Sequence, residues 1–203
     1  KIRMGVILGM PRNRREKKKL LTVVIVHGKS ERAICNNVRT NLKIVQKEFA
    51  RVNGRSSIQI TGLMKELKSG CFANKRRFQD EYSTAFDGRQ LHEGFKLFII
   101  MDVDDCTEEQ KEAFKDKSMF LGHWLYDYIV PIYNEPNLEQ TMSDIGIGID
   151  KHNKSKYEDV FPIVQNGKND PEKIKRLYDQ LKDCKRSNLD VYVKHCLDVW
   201  KMK

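Results

Sequence analysis

Residues 95–105 read Phe-Lys-Leu-Phe-Ile-Ile-Met-Asp-Val-Asp-Asp, an apolar segment that ends in three carboxylates. The apolar part predicts a buried β-strand. Since alternate side chains of a strand point to the same side, we expect Asp102 and Asp104 to share one face at its carboxyl end. Carboxylates this close repel each other unless a divalent cation, a proton or a basic group lies between them. The segment therefore predicts a charged site at the end of a central strand.

A second apolar run, Thr-Val-Val-Ile-Val at residues 22–26, is rich in β-branched residues and predicts a buried parallel strand. The strand is followed by His27 and Gly28, and we expect Gly28 to allow a sharp turn into a helix. That helix is expected to begin near Glu31, with Ser30 as its N-cap. Sites in open α/β sheets are built at the carboxyl ends of the strands, so His27 and Glu31 should lie near the aspartates.

Strand and helix patterns alternate along the rest of the first 145 residues, and helical patterns follow near the carboxyl terminus. The further predicted elements are strands at residues 44–49 and 128–133, a short strand followed by a helix at 58–67, and helices at 73–85, 171–182 and 187–201. Pro136 is placed in the first turn of a helix that runs to about residue 145. This alternation predicts an α/β fold with three layers and a mostly parallel central sheet, followed by carboxyl-terminal helices.

The same patterns divide the chain into three parts. We expect a basic arm at residues 1–19, with a short strand at 4–8, then the α/β domain at residues 20–145, then a helical extension at residues 146–203. The extension begins with a polar stretch that is rich in glycine and lysine. Its composition leaves open whether its helices pack on the sheet or bind a partner.

The formal net charge of this 203-residue chain is +10. The basic residues are concentrated at residues 12–19 and at Lys75, Arg76 and Arg77. Such an excess favours a polyanion as partner, and nucleic acid is the commonest one. Lys29, after the first strand, is a further candidate for contact with phosphate. The alternative is a solvated basic surface without a specific partner.

The composition also bears on the compartment. The longest apolar runs fall well short of the ~18 residues that a membrane span needs, so we expect no membrane partner. The five cysteines show no Cys-x-x-Cys spacing. This pattern predicts reduced thiols and a cytoplasmic protein, and it argues against a zinc site.

The two strand ends together resemble the Toprim fold. In that fold an apolar strand ends in Glu-Gly-x-x-Glu or Glu-Gly-x-x-Asp, and a later strand ends in Asp-x-Asp. Residues 22–31 and 97–105 are similar to these motifs, and Asn-Glu-Pro-Asn-Leu-Glu at 134–139 resembles a feature of small Toprim proteins such as the RloB-like nucleases. The resemblance covers residues 20–145 and extends to the OLD-type nucleases of phage defence.

The resemblance implies a metal-dependent nuclease of a prokaryotic defence or mobile-element system. By position, Asp102 and Asp104 would hold Mg²⁺, and Glu31 would be the acidic residue that closes the first motif. Asp105 would be an outer-shell or alternative ligand, and Glu139 an extra carboxylate. The implied reaction is metal-assisted hydrolysis of a phosphodiester in DNA or RNA, with a protein partner in a defence complex.

His27 stands where the first motif of the Toprim fold has glutamate. Imidazole is a poor ligand for Mg²⁺, which prefers oxygen. Three interpretations follow. His27 acts as general acid or base, with Glu31 supplying the missing carboxylate; the site takes Mn²⁺ or another softer metal; or the protein is a lapsed module that binds nucleic acid or a partner protein without chemistry.

Overall fold

The structure is a computed structural model that describes residues 18–51, 56–148, 160–161 and 169–202. The predicted strand at residues 4–8 and most of the predicted basic arm lie outside these residues, as does most of the polar stretch that follows residue 148. The strands are β1 (Thr22–Val26), β2 (Gln46–Phe49), β3 (Phe86–Asp87), β4 (Gln90–Leu91), β5 (Lys96–Asp102) and β6 (Ile129–Asn134).

The central sheet consists of four parallel strands in the order β2–β1–β5–β6. The short strands β3 and β4 form a separate antiparallel pair. The central position therefore belongs to β1 and β5, the two strands that the sequence marks by their apolar runs. The predicted parallel sheet is confirmed.

Seven α-helices have both ends within the described residues. They are α1 (Lys29–Leu42), α2 (Ile60–Leu67), α3 (Lys75–Glu81), α4 (Glu108–Lys115), α5 (Leu138–Asp144), α6 (Pro171–Leu181) and α7 (Leu189–Lys201). In the part of the chain that the structure describes, no helix has the length and apolar character needed to cross a membrane.

The sheet is covered by helices on both faces because side chains alternate along each strand. Val24 and Val26 of β1 belong to a core shared with α1, α6 and α7. Val23 and Ile25 belong to a second core, shared with α2, α3 and α4. These strands are buried on both sides, as expected for a parallel sheet. The predicted three-layer α/β fold is confirmed.

The carboxyl-terminal helices α6 and α7 pack on the same face of the sheet as α1. The Tyr192 ring lies 5.3 Å from that of Phe98, and its hydroxyl donates a hydrogen bond of 3.0 Å to Gln46 Oε1. Both Tyr192 and Cys196 are fully buried. Because Phe98 and Gln46 belong to β5 and β2, α7 contributes directly to the core around the sheet.

The predicted cap of α1 is wrong. The N-cap is Gly28 rather than Ser30, and the Glu31 side chain closes the cap by accepting a hydrogen bond of 2.7 Å from the Gly28 amide. The chain bends at residues 27–28, where Gly28 has φ −156° and ψ −154°. A Cβ at this position would lie 3.5 Å from Glu31 Oε2 and 3.7 Å from Ser57 Oγ, which is ordinary contact.

Two further local predictions are wrong. The strand predicted before α2 does not form: residues 58 and 59 are not in a strand, and α2 covers Ile60–Leu67. The Ile58 amide donates a hydrogen bond of 2.9 Å to the His27 carbonyl. Pro136 precedes a helix instead of lying in its first turn, because α5 begins two residues later, capped by Asn137. The Glu135–Pro136 bond is cis.

The burial of His195 on α7 predicts that the stability of this fold depends on pH. Its Nε2 lies 3.1 Å from Thr22 Oγ1 and its ring 5.0 Å from that of Phe98. Burial lowers the pKa of His195. The unfolded chain therefore binds this proton more readily, and the stabilising effect of the neutral ring is lost as the pH falls below about 6.5.

We expect His195→Gln to reduce the loss of stability between pH 7.5 and 5.5. A single proton contributes at most about 1.4 kcal/mol per pH unit to the free energy of unfolding. Urea unfolding at both pH values measures the difference, with His92→Gln as the matched control. An equal acid dependence in wild type and His195→Gln would contradict this assignment.

Candidate functional site

The carboxyl ends of β1 and β5 lie side by side. Val26 pairs with Ile100 in the parallel ladder, and the His27 amide donates a hydrogen bond of 2.9 Å to the Ile100 carbonyl. Asp102 is the last residue of β5, two positions further along. The pairing therefore brings the two sequence motifs to one edge of the sheet.

Asp102 is held firmly at this edge. Its side chain points to the face that α1 covers, and the residue is only 8% exposed. Its Oδ1 accepts a hydrogen bond of 3.0 Å from the Leu138 amide, at the first residue of α5, and one of 3.4 Å from Asn134 Nδ2. Asn134 is its partner in the β5–β6 ladder. The position of the carboxyl group is thus fixed by β6 and α5.

The surroundings of Asp102 disfavour its ionised form. Burial, followed by the negative charge of Glu31, raises its pKa to about 8. His27 acts in the opposite direction, and Glu139 and Asp104 add to the rise. In the absence of a cation, these surroundings therefore favour the protonated form of the carboxyl group. This crowding of acidic groups is the electrostatic environment that a bound cation would relieve.

Glu31 lies in the first turn of α1 and is 3% exposed. One of its oxygens is engaged by the Gly28 amide, as described above. A carboxylate at a helix amino terminus is favoured by the backbone amides there. Glu31 therefore serves the fold as a cap while its charge acts on Asp102.

Asp104 is exposed and accepts a hydrogen bond of 3.4 Å from Asn137 Nδ2. Because β5 ends at Asp102, the predicted alternation along a strand does not extend to Asp104, and that part of the prediction is wrong. Asp104 nevertheless lies close enough to raise the pKa of Asp102. The loop after β5, rather than the strand, positions this side chain.

Asp105 and His27 are both half-buried at the same edge. Burial raises the pKa of Asp105, while His27 and a hydrogen bond from Gln59 lower it. Within the described residues, Asp105 Oδ1 and His27 Nδ1 are buried atoms that have no hydrogen-bond partner. Buried polar atoms in this state are uncommon and call for an explanation.

The remaining predicted residues fall into two groups. Glu139, in the first turn of α5, is half-buried and acts on Asp102. Lys29 is exposed at the first residue of α1, next to the edge. The basic residues of α3 are also exposed, but α3 packs through Phe78 on Phe95, which precedes β5 and lies at its opposite end. We call the titratable residues that lie together at the carboxyl ends of β1 and β5 the acidic edge: His27, Glu31, Asp102, Asp104, Asp105 and Glu139.

Within the described residues, no three or more His, Cys, Asp or Glu side chains are arranged so that they could hold a metal ion. This finding limits the kind of site that the acidic edge can form. Mg²⁺ is usually bound through one or two carboxylates, with water and substrate phosphates as the other ligands. The carboxylates of the acidic edge fit that mode by their chemistry, and their ligand roles stay predictions.

Asp102 is supported from behind by Asn134, the first residue of the 134–139 motif, and by Ser187, which sequence reasoning missed. Asn134 is fully buried, and its Oδ1 accepts a hydrogen bond of 2.9 Å from Ser187 Oγ. Ser187 Oγ in turn accepts one of 3.0 Å from the Leu189 amide, at the start of α7. Asn134 shows in the sequence as a polar residue after an apolar strand. For Ser187, no local pattern indicates a partner 53 positions away.

Comparisons with protein-family models, with curated proteins and with solved structures find no match to this chain. The Toprim resemblance therefore stays a prediction that depends on the quoted motifs.

Ser187→Ala should destabilise the protein measurably. The change leaves Asn134 Oδ1 and the Leu189 amide without their shared partner in a buried place, and an unsatisfied buried group costs about 1–3 kcal/mol. Ser143→Ala, at an exposed position of α5, is the matched control and should change stability by less than about 0.5 kcal/mol. Urea unfolding at pH 7 measures both. Equal changes in the free energy of unfolding for Ser187→Ala and Ser143→Ala would contradict this account of the network.

Asp102→Asn should stabilise the protein, and more so at high pH. The pKa of Asp102 in the folded state, about 8, lies above its ordinary value of 3.8, so the stabilising effect of its proton is lost as the pH rises from 3.8 to about 8. Asparagine keeps the hydrogen bond from Leu138 and removes the titration. The gain should grow by up to about 1.4 kcal/mol per pH unit.

Thermal or urea unfolding at pH 5 and pH 8.5, in the presence of a chelator, measures this effect. Asp183→Asn, at an exposed position, is the control that changes the same chemical group. A gain for Asp102→Asn that is equal at both pH values would contradict the raised pKa.

Proposed function

We propose that the protein is a divalent-metal-dependent nuclease that hydrolyses phosphodiesters in nucleic acid, with the acidic edge as its active site. The observation that carries this proposal is the burial of Asp102 among other carboxylates, which raises its pKa to about 8. A fold gains no stability from crowding acidic groups in this way. Perturbed carboxyl groups of this kind cluster at functional sites.

The acidic edge offers a cation oxygen ligands of the type that Mg²⁺ and Mn²⁺ accept. Asp102 and Asp104 would hold the ion, with Glu139 and Asp105 as additional carboxylates. Bound there, the ion would supply charge neutralisation at the phosphate and at the leaving oxygen. Asn134 and the Leu138 amide keep Asp102 in place through the hydrogen bonds described above.

His27 and Glu31 are the proposed catalytic residues. The His27 backbone is tied to β5, so its half-buried ring has a defined place beside Asp102. Imidazole is suited to accept a proton from an attacking water and to return it to a leaving oxygen. Glu31 supplies a fixed negative charge from the first turn of α1.

Nucleic acid is the proposed substrate because of charge. The net charge of +10 favours a polyanion. Lys29 is exposed beside the acidic edge, and Lys75, Arg76 and Arg77 are exposed on α3, where they could contact more distant phosphates of a bound strand. The five cysteines are free thiols, which supports a cytoplasmic protein. A role in prokaryotic defence with a protein partner is proposed from the Toprim resemblance alone.

A second candidate is a module that binds nucleic acid without cleaving it. Two observations favour it. His27 stands in place of an acidic residue, and the described residues contain no group of three or more side chains ready to hold a metal. The two candidates share the binding surface and differ only in whether the acidic edge performs chemistry.

Cleavage of labelled DNA and RNA, with Mg²⁺, Mn²⁺ or a chelator, separates the two. We expect metal-dependent cleavage that falls by about 100-fold or more in Asp102→Asn and Asp104→Asn, since each change removes charge that stabilises the transition state. Asp183→Asn should cleave as wild type does. Fluorescence polarisation measures binding of the same strands separately.

The nuclease proposal fails if neither metal supports cleavage while the wild type and both variants bind nucleic acid equally well. That outcome would establish the binding module instead.

A further inference from the structure

Two buried polar atoms of the acidic edge have no role in the network that holds Asp102. His27 Nδ1 and Asp105 Oδ1 are buried and, within the described residues, have no hydrogen-bond partner. An unpaired polar atom in a buried place is unfavourable unless water or an ion satisfies it. Both atoms belong to side chains that accept a cation readily, an imidazole and a carboxylate.

The backbone brings these two side chains together. The His27 carbonyl accepts a hydrogen bond of 2.9 Å from the Ile58 amide. The next residue, Gln59, donates its side-chain hydrogen bond to Asp105. Since Gln59 follows Ile58 directly, one short segment touches both His27 and Asp105. His27 lowers the pKa of Asp105, which agrees with this proximity.

Gln59 also gives Asp105 a defined orientation. Its hydrogen bond engages the carboxylate, and Oδ1 remains without a partner among the described residues. Metal ligands are commonly oriented in this way by a second hydrogen bond from a neighbouring residue. The backbone of His27 is likewise fixed on both sides, by Ile100 and by Ile58. The Asp105 side chain and the backbone that carries His27 are therefore positioned before any cation arrives.

We propose that His27 Nδ1 and Asp105 Oδ1 bind a first-row transition cation, so that the acidic edge takes Mn²⁺ or a related ion in preference to Mg²⁺. The reason is the nitrogen donor. Mg²⁺ demands oxygen ligands in near-ideal octahedral geometry, whereas first-row transition ions accept imidazole together with carboxylate and water. Two protein donors with water completing the shell agree with the lack of a larger ligand group in the described residues. In this arrangement Asp102 and Asp104 act on the cation through water, and Glu31 takes the proton-transfer role proposed for His27.

This inference rests on the proposed function only for the use of the cation in cleavage. Binding can be measured without any nucleic acid. Mn²⁺ is the probe because it is paramagnetic and because the five free thiols would compete for zinc.

The experiment is a calorimetric titration of the full, metal-free chain with Mn²⁺ and with Mg²⁺, combined with pulsed EPR of bound Mn²⁺. We expect Mn²⁺ to bind at least about tenfold more tightly than Mg²⁺, and the EPR signal to show coupling to a nitrogen of imidazole. His27→Gln and Asp105→Asn should each weaken Mn²⁺ binding by about 10–100-fold. His27→Gln should also abolish the nitrogen coupling.

His27→Glu is the converse test, since it replaces the nitrogen donor by oxygen. It should shift the preference towards Mg²⁺. His92→Gln is the matched control and should bind Mn²⁺ as wild type does. Circular dichroism shows whether each variant is folded. If one of His27→Gln and Asp105→Asn misfolds, the other still tests the site.

The inference is overturned if bound Mn²⁺ shows no nitrogen coupling, or if His27→Gln binds Mn²⁺ as His92→Gln does. It is also overturned if Mg²⁺ binds as tightly as Mn²⁺. Nitrogen coupling that depends on His27, in a protein that cleaves nothing, would support the inference and reject the nuclease. Cleavage by a protein that binds Mn²⁺ and Mg²⁺ equally tightly would support the nuclease and reject the inference.

Discussion

The parallel pairing of β1 with β5 is the constraint on which the rest of the site depends. Val26 lies opposite Ile100, so both strands end at the same edge. A shift of either strand by one residue would turn its side chains to the other face of the sheet. Asp102 would then leave the side covered by α1, where Glu31 acts on it. The apolar alternation of both strands, buried on both faces, holds this register.

The acidic edge is supported by parts of the chain that are far apart in sequence. β6 and α5 fix Asp102 through Asn134 and the Leu138 amide, and Ser187 fixes Asn134 from the start of α7. Burying a carboxyl group here works against stability, and the surrounding hydrogen bonds offset part of that cost. A buried carboxyl group that lowers stability, surrounded by hydrogen-bonded neighbours that fix it, is typical of functional sites.

Much of the fold could be predicted because its main signals are local. The apolar runs of β1 and β5 and the two helical patterns near the carboxyl terminus indicate a parallel sheet with helices, as observed. The local predictions that are wrong concern positions where neighbouring groups compete for the same hydrogen bond. Glu31 caps α1 where Ser30 was expected, since its carboxylate reaches the Gly28 amide.

The supporting network could not be predicted, for a different reason. Ser187 and Asn134 are ordinary polar residues until the fold brings them within 2.9 Å of each other. That His27 Nδ1 and Asp105 Oδ1 lack a hydrogen-bond partner among the described residues is likewise visible only in three dimensions. Sequence motifs located the edge. The geometry shows which of its side chains are fixed by hydrogen bonds, which lie close to other carboxylates, and which have buried atoms without a hydrogen-bond partner in the described residues.

The most direct test of the central claim is anomalous diffraction from crystals grown with Mn²⁺ and a short oligonucleotide that resists cleavage. The account predicts an anomalous peak at the acidic edge, within bonding distance of an Asp102, Asp104 or Asp105 carboxylate and beside a phosphate of the strand. An acidic edge without a peak, in crystals where the oligonucleotide is bound elsewhere on the protein, would contradict it.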